Sequence, residues 1–214
     1  MSMEQDNCER VKTMTRRAIK ISTYLMMPMM MGLAVCAEPI VKILLTEKWL
    51  PCVFFLRIFC FSLAFYPIHT ANLNAIKAMG RSDIYLKLEI IKKIIGLTAL
   101  LSTIWISVEA MAYSLLLTTV ISQIVNAFPN KKLLGYSYLH QLQDMLPQIL
   151  LSGVMGAIVY AASLLPLADY LILLIQIPLG VLVYVVGSKL CRLDSFEYVC
   201  ATAKKYLPNR RGGA

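Results

Sequence analysis

Apolar residues gather into six runs: Ile21–Ala37, with a weaker continuation to Leu45, then Pro51–Leu73, Ile90–Val108, Ala110–Phe128, Met145–Leu167 and Tyr170–Leu190. Most of these approach the roughly 20 residues that an α-helix needs to cross about 30 Å of hydrocarbon. Backbone polar groups must be satisfied within the segment once water is excluded, so runs of this kind predict helices. The pattern therefore predicts an all-α, polytopic bundle of six transmembrane helices spanning 18–190, between a cytoplasmic N-terminal segment (1–17) and a cytoplasmic tail (191–214).

The tail has a different pattern. Phe196, Val199, Cys200, Ala203 and Leu207 share one helical face, Lys204 and Lys205 lie off it, and Asp194 with Glu197 has capping-box spacing. It predicts an amphipathic helix along the inner membrane surface, ended by Pro208 and followed by a frayed end, Asn209–Ala214.

Composition agrees with a membrane protein. Of 214 residues, 58% are hydrophobic and 15% charged, against about 25% charged in soluble domains, and mean hydropathy is +0.67. The net charge of +9 does not imply nucleic acid, because the basic residues sit at the ends of apolar runs. Under a six-span arrangement 18 of the 21 Lys and Arg fall on one side, leaving Lys42, Lys48 and Arg57 on the other. The positive-inside tendency then places both termini in the cytoplasm. Glu4, Asp6 and Glu9 in the leading segment argue against a cleaved signal peptide. Three of the six cysteines lie in apolar runs and three on the reducing side, so no disulfide is expected.

Catalytic signatures are missing. HExxH, GxxxxGK[ST], GxSxG and GxGxxG do not occur, and His69 and His140 have no metal-ligand spacing. No enzyme activity, cofactor or metal is expected. Attention passes to polar residues inside the runs, where they are costly. In the third run, only 15 residues (Ile94–Val108) are free of charge. Advancing about 100° per residue puts Lys92, Thr103, Gly96, Glu89 and Lys93 on one face, with Glu89 and Lys93 spaced to pair. That face looks into a bundle or wet cavity, or else Lys92 and Lys93 snorkel to the headgroups. In the second run Ser62, Tyr66, His69, Thr70, Lys77 and Arg81 share a side, with a kink expected at Pro67. Arg57 either snorkels outward or is a buried cation. Ser114, Thr118, Ser122 and Asn126 form a stripe in the fourth run, as interhelical glue or cavity wall. Gly153, Ala157 and Ala161 form a small-residue packing ridge in the fifth. Pro28, Pro147 and Pro178 are further candidates for kinks. Together these features point to a carrier of anionic or amphiphilic cargo.

The blocks AEPIVKILLTEKWLPCVFFLRIF (Ala37–Phe59), FYPIHTANLNAIKAMGRSDIYLKLEIIKK (Phe65–Lys93) and PNKKLLGYSYLHQLQDMLP (Pro129–Pro147) resemble the C-terminal part of bacterial oligosaccharide flippases of the multidrug, oligosaccharidyl-lipid and polysaccharide exporter superfamily. The resemblance implies a protein of lipopolysaccharide O-antigen, capsule or exopolysaccharide biosynthesis in the cytoplasmic (inner) membrane. It would move an undecaprenyl-diphosphate-linked oligosaccharide between leaflets by alternating access. By position it makes Arg57, Lys77, Arg81, Lys92 and Lys93 substrate-pathway candidates and Glu89 the candidate carrier of a coupling H⁺ or Na⁺. Such exporters have about twelve to fourteen spans in two lobes, so six spans imply a missing N-terminal lobe or companion half, and no transport by this polypeptide alone. A multidrug or small-amphiphile exporter, a membrane glycosyltransferase or polymerase, and a non-transporting scaffold are the competing readings.

Overall fold

The computed structural model describes residues 2–166 and 168–206, with side chains for 7–166 and 168–202. Among the described residues the secondary structure is helical: α1 (Ser2–Val35), α2 (Ala37–Leu45), a single 3₁₀ turn (Glu47–Trp49), α3 (Cys52–Ala64), α4 (Tyr66–Ala78), α5 (Ser82–Thr103), α6 (Val108–Leu134), α7 (Tyr138–Ala162), α8 (Asp169–Leu190) and α9 (Asp194–Tyr206). Expectations about Leu167, Leu207, Pro208, the end from Asn209, and the side chains of Ala203, Lys204 and Lys205 lie outside the described residues.

Among the described residues five stretches are long and apolar enough to cross a membrane: Asn7–Val35, Cys52–Ala78, Val108–Leu134, Tyr138–Ala162 and Asp169–Leu190. The third expected span is the exception. Helix α5 has 22 residues, about 33 Å at 1.5 Å per residue, but Asp83, Lys87, Glu89, Lys92 and Lys93 make it too charged to rank with the other five.

Local chemistry explains the breaks. Pro67 has no N–H to donate, and the second span divides just before it, at Phe65, into α3 and α4. By contrast, α1, α7 and α8 run uninterrupted through Pro28, Pro147 and Pro178, and α6 through Pro129. One ladder bond is forgone at each of these prolines while the turns on either side hold the helix. Gly135, at φ 62°, ends α6 in the left-handed conformation and passes its N–H to Asn130 O. Ser107 and Ser137 cap α6 and α7 by accepting from Ala110 N at 3.0 Å and His140 N at 3.4 Å.

Helix α1 is central, packing on α3, α4, α7 and α9, while α5–α6 and α7–α8 are neighbouring hairpins. One helix surface differs from expectation. The ridge of Gly153, Ala157 and Ala161 does not pack, since a Cβ at Gly153 would meet nothing within 4 Å and both alanines are exposed. Close approach occurs at Gly156, the residue before Ala157, where a Cβ would lie 2.8 Å from Met31 Cγ, and at Gly187 on α8, against Leu151. The tail helix α9 turns inward. Phe196 and Val199 pack on the buried cluster of Tyr24, Met155 and Tyr184, so its apolar face covers the end of the bundle.

Candidate functional site: a polar interior between α1, α4, α6 and α7

Four helices direct buried polar side chains at one another. Asn72 on α4 and Gln141 on α7 are fully buried and form a reciprocal amide pair: Asn72 Nδ2 donates to Gln141 Oε1 at 2.7 Å, and Gln141 Nε2 to Asn72 Oδ1 at 2.9 Å. From α6, Asn130 Nδ2 donates to Asn72 Oδ1 at 2.6 Å and to Asn72 O at 3.1 Å. A residue of α6 and one of α7 are thus tied to Asn72 of α4, as burial of amides requires.

One turn along α4 and α6, Asn126 Nδ2 lies 2.7 Å from His69 Nδ1. The amide and the ring nitrogen are within hydrogen-bond distance, the direction depending on the imidazole tautomer. Glu89 and Lys92 of α5 lie within electrostatic reach of His69. Their own ion pair measures 2.5 Å, and only 8% of the Lys92 side chain is exposed. Asn126 Oδ1 and Asn130 Oδ1 are buried acceptors without a hydrogen-bond donor among the described residues.

The third cluster joins α1 to α7. Arg16 holds Asp144 through two bonds, Nε to Oδ2 at 2.7 Å and a terminal guanidinium nitrogen to Oδ1 at 2.6 Å. Tyr136 Oη donates to Asp144 Oδ2 at 2.8 Å, and Lys20 Nζ is 3.8 Å from Oδ1. The carboxylate, 8% exposed, is therefore compensated on all sides. Burial first, then the bond to Asp144, push the Tyr136 phenol well above its ordinary pKa, so it stays a donor.

The sequence candidates are distributed differently. Arg57 is exposed on α3, with Nε donating to Ala34 O at 3.2 Å. Lys77 Nζ lies 4.3 Å above the Tyr85 ring, and Arg81 pairs with Asp83 at 3.3 Å across the α4–α5 turn. Lys93 is exposed, and Glu89 pairs with Lys92 three residues on, in place of Lys93. Of the five cations only Lys92 is turned into the protein. Asn126 does reach another helix, while Thr118 in the same stripe bonds its own backbone, to Ser114 O at 2.9 Å.

Sequence reasoning passed over Arg16, Asn72, Asn130, Gln141 and Asp144. The spacing Gln141, Asp144, Gln148, Ser152 on α7 was a readable signal, since all four are buried on one face.

Residues 1–54 match the model of a family described as "Polysaccharide biosynthesis protein". Neither the curated proteins nor the solved structures give a match. The matched quarter runs from α1 into the first turn of α3 and includes Arg16 and Lys20. Five helices fit to cross a bilayer make this a multi-pass membrane protein with similarity to polysaccharide biosynthesis proteins over that quarter.

Proposed function

We propose that the chain serves surface-polysaccharide biosynthesis as part of a carrier that moves a lipid-linked oligosaccharide across the cytoplasmic membrane, with no catalytic step of its own. The match of residues 1–54 carries this reading. The polar interior supports it: helices that meet through amide pairs and one charged cluster, and not through apolar packing alone, can exchange hydrogen bonds as they slide. In this reading Lys92, already turned inward with Glu89, is the first of the cations to meet an anionic diphosphate, and Arg57, Lys77, Arg81 and Lys93 meet it as the bundle rearranges. Glu89 or its neighbour His69 would carry a coupling proton. The half-sized bundle works with a companion lobe.

The test is genetic and biochemical. In the native host, deletion of the chain is expected to leave lipid-linked repeat units on the cytoplasmic leaflet and to reduce surface polysaccharide, and Lys92→Glu to reproduce the defect at normal protein levels. Reconstituted alone, the chain is expected not to transport, with activity appearing when the companion lobe is added. Undiminished surface polysaccharide in the deletion strain would overturn the assignment.

A further inference from the structure

Bordering the Arg16–Asp144 cluster of that polar interior, a cavity of about 380 Å³ opens between α1 and α9, lined by Thr13, Arg16, Arg17, Lys20, Asp194, Ser195 and others. We propose that it is a binding site for the phosphate of an anionic phospholipid headgroup, independent of any cargo the protein moves.

Charge and depth both support this. Three cations of α1, spaced i, i+1 and i+4, border one cavity, and Lys20 immediately precedes the apolar run that starts at Ile21. They stand at the level where an apolar helix meets headgroups, on the side that the positive-inside tendency assigns to the cytoplasm. Their opposing charges are accounted for. Asp144 lies beneath Arg16, and its carboxylate is already met by Arg16, Tyr136 and Lys20. Asp194 sits on the rim, 88% exposed, 3.7 Å from Lys20. Arg17 makes no ion pair among the described residues and is held 5.0 Å over the Tyr198 ring. The Arg16 side chain, although bound to Asp144, is 57% exposed and lines the cavity.

The α9 contacts give the cavity a fixed wall. Ser195 Oγ donates to Lys20 O at 3.3 Å, and Phe196 and Val199 anchor the helix to the bundle. A guanidinium stacked on an aromatic ring beside a second, carboxylate-bound guanidinium is a preorganised phosphate receptor. Ile21, the aliphatic residue of the lining, is suited to meet the start of an acyl chain.

The experiment uses the full chain purified in neutral detergent and titrated with short-chain phosphatidylglycerol, phosphatidylcholine or inorganic phosphate, reading retained lipid by native mass spectrometry and thermal midpoint in parallel. Phosphatidylglycerol is expected to be retained and to raise the midpoint, phosphatidylcholine to do neither. Arg17→Gln is expected to weaken retention about fivefold, the worth of one basic residue near an anionic surface, with the lipid-free midpoint unchanged. Lys131→Gln, on an exposed basic end of α6, is expected to leave retention intact. Equal retention of the two lipids, or undiminished retention by Arg17→Gln, would overturn the site. A midpoint shift from inorganic phosphate as large as that from phosphatidylglycerol would overturn the lipid assignment.

Discussion

Asp144 is the residue on which the contact between α1 and α7 turns. It combines near-complete burial with a two-point guanidinium bond and a phenol donor. A hydrogen bond to a charged group contributes about 1.5–3 kcal/mol, but Arg16 is more than half exposed and water takes part of that. Asp144→Ala is therefore expected to lower stability by about 1–3 kcal/mol, read as the thermal midpoint of helical circular dichroism in detergent. Lys20→Ala, at 3.8 Å from the same carboxylate, should cost less. An Asp144→Ala midpoint equal to that of the native chain would mean the cluster does not hold the helices. Tyr136 adds a pH dependence. Its pKa is raised on folding, chiefly by burial, so the stability contributed by the neutral phenol is complete below the ordinary tyrosine pKa of about 10 and is lost as pH rises above it. Tyr136→Phe should be less stable near neutrality and lose less than the native chain between about pH 8 and 11.

At the scale of elements, the amide network joins α4, α6 and α7. Replacing Asn72 alone strands both Gln141 and Asn130, so Asn72→Leu should cost more than a membrane hydrogen bond's usual worth of about 0.6–1.7 kcal/mol. The Asn72→Leu/Gln141→Leu pair should cost less than the sum of the two singles, because neither amide then faces an unpaired partner. Strict additivity in that cycle would refute the reciprocal pair. Much of this was legible: helix positions, the break before Pro67 and Asn126 as a polar contact all follow from residue type and spacing. Which face points inward did not. In water an apolar face marks the core, but in a bilayer lipid and protein are equally apolar, so Gly153, Ala157 and Ala161 could not be told from the packed Gly156. Distant pairings such as Arg16 with Asp144, or Asn72 with Gln141, leave no local period. The blocks Phe65–Lys93 and Pro129–Pro147, however, contain Asn72 on one side and Asn130 and Gln141 on the other, and these meet in space.

For the whole molecule the undecided element is α5, and its crossing fixes the orientation of everything after it. Its charges argue against insertion, and Leu88 is its sole buried residue among those described. The distribution of basic residues argues the other way. If α5 crosses, 18 of 21 Lys and Arg lie on the side of the N-terminus. If it does not, α6, α7 and α8 all invert, and only 10 of 21 remain there, with the strongly basic tail on the outside. The positive-inside tendency acts on short loops of this kind, and Glu89 reduces the cost of carrying Lys92 inward by pairing with it. We therefore expect α5 to cross. The check is labelling of intact cells with a membrane-impermeant thiol reagent, using single cysteines at exposed positions in a background free of native cysteine. Lys48→Cys, Ile106→Cys and Leu164→Cys should label from outside, while Ser82→Cys and Leu139→Cys should label only after permeabilisation. Ile106 and Leu164 decide the matter, since both move to the cytoplasmic side if α5 stays out of the bilayer, whereas Lys48 and Ser82 are unaffected. Protection of Ile106→Cys and Leu164→Cys together with outside labelling of Leu139→Cys would give a five-span protein, and would put the paired Glu89 and Lys92 at the membrane surface instead of beside His69 within it.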